Sequence, residues 1–376
     1  MNIPFNKPYI VGTEINNISR VIDFKKLAGD GKFTFSVQNF FEKKYFFKKT
    51  LLTTSCTDAL ELAALLLELD SKSEVIIPSY TFVSTANAFA LRGAKIVFAD
   101  SEANTPNIDV EKLEPLINRN TKAIVVVHYA GVACNMTKLL ELSNKYNIKI
   151  IEDAAQAIDS YFNNIPLGSI GSMGAFSFHE TKNIIAGEGG LLTVNDVNYF
   201  KRAEIIREKG TNRSQFFRGE VNKYGWVELG SSFLASELIA AFLSAQLESL
   251  ETIQRTRISH WNRFYNNLQS LKNLSPNLLP FIPEYATNNG HMFYIKCRSL
   301  DERSKLISHL SSKGIKSTFH YLSLHSSQYY AEKHDGRILV EADNWTNCLI
   351  RLPLFFELLE SEIDYISNEV LDFFNA

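Results

Sequence analysis

The sequence predicts an α/β protein in which a large, mostly parallel sheet is followed by a smaller α+β unit. Three observations point to the α/β architecture. From Thr50 onward, short β-branched and apolar runs alternate with helical patterns, which is the signature of strand–helix units. Those runs are apolar almost throughout, so each strand is expected to be covered on both faces. A chain of 376 residues also exceeds the size at which one hydrophobic core stops growing, which favours a large domain and a smaller one.

Taken in order, the first strand is read at residues 50–54. Ser55-Cys56-Thr57 turns it into a helix with Leu60, Ala63, Ala64 and Leu67 spaced i, i+3, i+4, i+7. Strands at 75–77, 95–99, 123–127 and 148–151 follow, separated by helical segments such as 81–91 and 135–146. After Asp153 the strands become short and glycine-punctuated, at 174–178 and 190–194, with Lys182 between them. A helical pattern over 233–268 follows a polar loop, and Pro276, Pro280 and Pro283 then punctuate a linker-like stretch. A strand at 292–297, a helix at 301–312, a strand at 315–319 and a final helix make up the remainder. The expected domains are therefore 1–248 and 249–376.

Composition narrows the function. Lys plus Arg is 39 against Asp plus Glu 41, a net charge of -2, so no basic excess marks a nucleic-acid or anionic-membrane partner. No apolar run approaches the ~18 residues of a spanning helix, and the opening lacks the pattern of a secretory signal. Cys56, Cys134, Cys297 and Cys348 form no CxxC pair, which argues for reduced thiols in a cytoplasmic enzyme acting on a small molecule. The histidines fit no metal spacing, so no metal is expected.

No GxGxxG follows a strand, and no HExxH, P-loop or GxSxG is present. The informative constellation is Glu152-Asp153-Ala154-Ala155-Gln156, then Ser177-Phe178-His179-Glu180-Thr181-Lys182-Asn183, then Gly187-Glu188-Gly189-Gly190. An acid at the carboxyl end of a buried strand, a lysine on a nearby turn and a helix N-terminus at Ser55-Cys56-Thr57 meet the three needs of pyridoxal 5'-phosphate. Those needs are an amine, a carboxylate for the pyridine nitrogen and a phosphate cradle. Each residue has a plainer reading: Ser55 or Thr57 as a helix cap, Asp153 as an arginine partner, Lys182 as a solvated amine. Asp58 would repel a phosphate at close range and is expected to point away from the cradle.

These motifs, with Gly29-Asp30-Gly31 and Pro78-Ser79-Tyr80-Thr81-Phe82, resemble the pyridoxal-phosphate nucleotide-sugar aminotransferases of the DegT/DnrJ group. The resemblance implies fold type I, with Lys182 as Schiff-base lysine and proton shuttle and Asp153 as partner of the pyridine nitrogen. It sets Gln156 near the phenolic oxygen and Phe82 stacked on the ring. Cys56, Thr57 and Asp58, through backbone groups, and Ser177 would hold the phosphate. Relatives have an Asn-x-Arg stretch reaching the partner subunit's phosphate where this chain reads Ser232-Phe233-Leu234, which leaves Ser231 or Ser232 as the substitute. Lys209, Arg213, His320, Tyr321 and His325 are implied substrate contacts. The runs at 83–89 and 207–213 resemble members that move an amino group from L-glutamate to C4 of dTDP-4-keto-6-deoxy-D-glucose, a nucleotide-linked 4-keto-6-deoxy sugar. The resemblance further implies a homodimer. The alternatives are amination at another position, epimer or nucleotide sugar, and a sugar dehydratase, in which a histidine would replace Lys182.

Overall fold

The computed structural model describes residues 2–375. The chain opens with helices α1 (Glu14–Asp23) and α2 (Lys32–Tyr45) and then enters the alternating region. There β1 (Thr50–Thr53), α3 (Cys56–Leu66), β2 (Glu74–Pro78), α4 (Val83–Ala90), β3 (Lys95–Ala99), β4 (Thr121–Val127), α5 (Met136–Tyr146) and β5 (Lys149–Asp153) follow one another. A small hairpin of β6 (Tyr161–Phe162) and β7 (Ile165–Pro166) precedes β8 (Met173–Ser177) and β9 (Gly190–Val194).

The seven-stranded sheet has the order β1-β9-β8-β5-β4-β2-β3. Only β9 runs against the others. The period of two explains why its strands read as unbroken apolar runs. Ile76, Ile124, Val126 and Ile150 enter one core with α2, while Val75, Ile77, Ala123, Val125 and Ile151 enter a second core with α3 and α4.

Helices α6 (Phe200–Arg207) and α7 (Arg213–Phe217) lead to the long helical pattern, which is two helices, α8 (Glu237–Glu248) and α9 (Leu250–Asn267), broken at Ser249. The first-turn Glu237 of α8 accepts hydrogen bonds from the amides of Gly31, Phe33 and Thr34 at 3.0, 2.8 and 2.9 Å, so α8 caps the open N-terminus of α2. From Trp261 onward α9 joins a third core with β10 (Phe293–Lys296), α10 (Leu300–Ser312), β12 (Leu349–Leu352) and α12 (Glu360–Asn375). The second sheet has the order β10-β12-β11, with β11 (Thr318–Phe319), and α11 (Val340–Cys348) precedes β12. The expected strand at 315–319 is short because Ile315 bridges to Ile3, which brings the start of the chain into the third core. Among the described residues no helix is long and apolar enough to cross a membrane.

Candidate active site

A cavity of about 810 Å³ opens where the carboxyl ends of the parallel strands face the second sheet. Asp153 is the last residue of β5 and is only 5% exposed. Its Oδ2 accepts from Thr85 Oγ1 at 2.7 Å and its Oδ1 from the Ala155 amide at 3.1 Å. Burial pushes its carboxyl up, against those two hydrogen bonds and the charge of Lys182. Among the described residues no arginine pairs with it, so the plainer reading of Asp153 as an arginine partner fails.

Glu152, one residue earlier, points the other way, as strand alternation requires. It accepts from the amides of Gly168, Ile170 and Gly171 at 2.7, 2.7 and 2.6 Å and from His128 Nε2 at 3.0 Å. His128 Nδ1 accepts the Cys134 amide at 3.2 Å, which makes the ring the neutral Nε2–H tautomer. This buried network anchors the base of the strand that carries Asp153.

Lys182 sits in the turn between β8 and β9, its amide donating to His179 O at 2.9 Å, and its side chain lines the cavity. Burial pulls its ammonium below the ordinary lysine range and Arg351 acts the same way, while Cys56 and Asp153 oppose. The next residue fixes the turn: Asn183 Nδ2 donates to Gln254 Oε1 at 2.8 Å and Asn289 O at 2.9 Å, and its Oδ1 meets His291 Nδ1 at 2.9 Å.

At the N-terminus of α3, Ser55 Oγ accepts the Asp58 amide at 3.0 Å. The amides of Cys56 and Thr57, in the same first turn, have no acceptor among the described residues, and both residues line the cavity. The cap and the anion site thus coexist on one turn. Asp58 is not among the residues that line the cavity; its carboxylate accepts from the Thr54 hydroxyl and its amide donates to Ser55 Oγ. β9 runs so close to this turn that a Cβ on Gly190 would lie 2.2 Å from the Ser55 carbonyl carbon and 2.4 Å from the Cys56 nitrogen. Only glycine permits the approach.

Ser177, Phe82 and Gln156 also line the cavity. Phe82 is 54% exposed, its ring tilted against Tyr321 at 6.1 Å between centroids. Gln156 Oε1 accepts the Ala130 amide at 2.6 Å and its Nε2 donates to the Tyr321 hydroxyl at 3.0 Å. His320 and Tyr321 stack at 3.5 Å between ring centroids, with His320 Nδ1 2.7 Å from the Tyr129 hydroxyl. Burial, with Arg351 and Lys182 nearby, holds the His320 ring well below the ordinary histidine range.

Besides Asp58, four implied residues lie outside this chain's own cavity. Ser232 bridges to Glu208, and the Lys209 amide donates to Ser231 O at 3.0 Å. Arg213 pairs with Glu208 at 3.4 Å. His325 Nδ1 lies 2.7 Å from Ser79 Oγ, and its Nε2 lies 3.6 Å from Asp343.

The structure adds residues that the sequence reading omits: Phe5, His179, Arg257, His291 and Arg351 all line the cavity. Arg257 is buried and pushed down to about 10 by that burial, its Nε and Nη2 donating to the carbonyls of Gly290, His291 and Leu354. One signal in the sequence does mark Arg351, a lone cation in the apolar run Leu349-Ile350-Arg351-Leu352.

An open α/β sheet with an amine, a buried acid and a helix N-terminus at one carboxyl-edge cavity has the architecture of the fold type I aminotransferases. The chain matches the DegT/DnrJ/EryC1/StrS aminotransferase family over residues 8–371 and belongs to it. The spore coat polysaccharide biosynthesis protein SpsC of Bacillus subtilis is 30% identical, over 98% of this chain and 96% of that one. Among solved structures, the putative sugar aminotransferase Spr1654 from Streptococcus pneumoniae in its PMP form superposes with a TM-score of 0.89, at 25% identity over 99% of both chains. The aminotransferase TlmJ from Streptoalloteichus hindustanus gives 0.90, at 25% identity over 100% of this chain and 99% of that one.

Proposed function

We propose that the protein moves the amino group of L-glutamate, with pyridoxal 5'-phosphate as cofactor, to C4 of dTDP-4-keto-6-deoxy-D-glucose, giving dTDP-4-amino-4,6-dideoxy-D-galactose for surface polysaccharide. The observation that carries the reading is the meeting of Lys182, Asp153 and the two open amides of α3 in one cavity. Two relatives support a sugar substrate, one named for polysaccharide biosynthesis and one as a putative sugar aminotransferase. The lining cations Lys182, Arg257 and Arg351 suit an anionic nucleotide sugar. On this reading the enzyme is cytoplasmic and homodimeric, with a cofactor domain over 1–248 and a smaller domain over 249–376. The break at Ser249 supports that division.

The residues present fit the cofactor. When bound, it supplies an aldehyde for the amine and a pyridinium that accepts an electron pair. Cys56 and Thr57 offer amides, with the positive end of the α3 dipole behind them, and Ser177 offers a hydroxyl, all to the phosphate. Asp153, fixed by Thr85 and Ala155, would hold the proton on the ring nitrogen. Phe82 would cover a ring face. Gln156, held by its hydrogen bond to Tyr321, would lie near the ring oxygen. Lys182 Nζ takes a proton from the donor's α-carbon and returns it, a task eased by a cavity that favours the neutral amine.

The test is Lys182→Ala. Turnover should fall at least ~10³-fold while the protein retains bound cofactor through gel filtration. Steady-state transamination near the wild-type rate would refute the assignment. Proton couplings in the product formed from dTDP-4-keto-6-deoxyglucose and glutamate then decide the position of the amine, and a product not aminated at C4 would refute the specific substrate.

A further inference from the structure

His291 lies just before β10, on the wall of the cavity, and is only 8% exposed. Its backbone is held on both sides: the amide donates to Asn289 Oδ1 at 3.0 Å, and the carbonyl accepts from Arg257 Nη2 at 2.8 Å. Gly290, at φ +62°, lets the chain pass so close to α9 that a Cβ there would lie 2.7 Å from the Arg257 carbonyl carbon. The imidazole is therefore delivered to a fixed place.

Its tautomer is fixed as well. Asn183, the residue after Lys182, reaches the backbone carbonyl of Asn289 at 2.9 Å, and a carbonyl only accepts, so the Asn183 atom there is its NH₂ nitrogen. That orientation, supported by Gln254 Oε1 at 2.8 Å, turns Asn183 Oδ1 toward His291 Nδ1, 2.9 Å away. An amide oxygen cannot donate, so Nδ1 carries the proton. Burial, with the charges of Lys182, Arg257 and Arg351, holds the ring well below the ordinary histidine range and so keeps it neutral. Nε2 is then a bare acceptor, and among the described residues nothing donates to it. A buried acceptor without a donor is costly, so Nε2 points to a ligand that supplies one.

The chemistry of the ligands leaves one kind of donor. Ionised carboxylates and phosphates only accept hydrogen bonds, so neither the amino acid's acid groups nor the nucleotide's diphosphate can satisfy Nε2. The amino acid's one donor is its amine, which is the group transferred. A sugar offers hydroxyls. Of the two carbons that flank C4 in the proposed substrate, C5 bears the methyl carbon and the ring oxygen, and only C3 bears a hydroxyl. The ring of His291 is tied through Asn183 to the turn of Lys182, the amine that acts at C4, and the hydroxyl one carbon away is the donor that this placement suits.

We propose that His291 Nε2 accepts a hydrogen bond from the C3 hydroxyl of the keto sugar, a specificity contact that the sugar makes and the amino donor does not. The proposal deepens the aminotransferase reading and rests on it. A 3-deoxy sugar would leave Nε2 unpaired and be disfavoured for that reason.

Calorimetric titration of cofactor-loaded wild type, His291→Asn and His291→Gln tests this without turnover, because no amino donor is present. The ligands are dTDP-4-keto-6-deoxy-D-glucose, its 3-deoxy counterpart and dTDP. The asparagine variant can reproduce the Nδ1–H bond to Asn183 but has nothing at Nε2, whereas the glutamine variant can set an oxygen near the place of Nε2. Wild type should bind the hydroxylated sugar about 10-fold more tightly than the 3-deoxy one. That preference should fall below about 2-fold in His291→Asn and survive in part in His291→Gln, with dTDP binding changed less than about 3-fold in both. Equal weakening of all three ligands in both variants would make His291 a support of the Lys182 turn alone and overturn the proposal. A preference kept in full by His291→Asn, or absent from wild type, would also overturn it. Failure of the aminotransferase reading shows separately, as wild-type holoenzyme whose visible absorption does not change with L-glutamate.

Discussion

Asp58 follows directly on the two open amides of α3, and its carboxyl is pushed up to about 6 by burial and by Glu61, against the Ser55 hydrogen bond. An acid whose pKa is higher in the folded chain than in the unfolded one binds its proton more tightly when folded. Stability therefore falls as pH rises from about 4 to about 6, and the loss persists above that window. Asp58→Asn removes the charge but keeps an oxygen for the Thr54 hydroxyl. Because Asp58 is only half-buried, the effect is modest: a melting temperature about 1–3 °C above wild type at pH 8, with the gap closing as pH drops through that window, read by scanning calorimetry. An unchanged gap at pH 4 would refute the charge as its cause. The conflict between Asp58 and an anion site is legible in adjacency alone. So are Lys182 and Asp153, because a strand end and a turn are local features. Arg351, Arg257 and Glu152 are not legible as a site, because their surroundings come from segments distant in sequence.

Elements show the same division between local and distant information. The strands of the large sheet are readable because both faces are covered and most of their residues are apolar, and their positions match to within two residues at each end. Helix α1 misleads, since its apolar residues at helical spacing include Ile15 and Ile22, which are exposed, while its buried face is Glu14, Asn17 and Val21. Glu14 is buried because it accepts from the Val11 and Gly12 amides at 2.8 and 2.7 Å. Helix α2 carries a readable repeat, Phe33, Val37, Phe41 and Tyr45, that lies before the alternation beginning at Thr50. The break at Ser249 is hidden because apolar residues continue at helical spacing on both sides of it. Position of β5 depends on Glu152, whose two oxygens take three amides and a histidine N–H. Glu152→Gln sets an amide NH₂ against at least one of those donors in a fully buried place. It should cost about 3 kcal/mol in denaturant unfolding, and a loss below about 0.5 kcal/mol would show that the network does not hold the strand.

At the scale of the whole molecule, Lys209 and Arg213 are two of the three implied substrate contacts that do not line their own chain's cavity. They stand at the start of a loop whose Phe217 is 68% exposed and Trp226 81% exposed, with Val227 and Leu229 exposed beside them. Large apolar side chains gathered in one exposed loop suit a surface covered by another molecule. In a two-fold dimer each chain would present that same loop to the other, so the basic residues of one chain would serve the cavity of its partner. This arrangement has a quantitative consequence. Lys182→Ala and Arg213→Ala should each be nearly inactive alone. In a mixed population, half of the dimers pair one variant with the other. In such a dimer the chain that keeps Lys182 receives an intact Arg213 from its partner, and the opposite site has lost both. One site in two is restored in half of the dimers, so co-expression should return turnover to about a quarter of wild type. A mixture no more active than its components would place Arg213 outside the partner's site, and full activity of Arg213→Ala alone would remove it from substrate binding altogether.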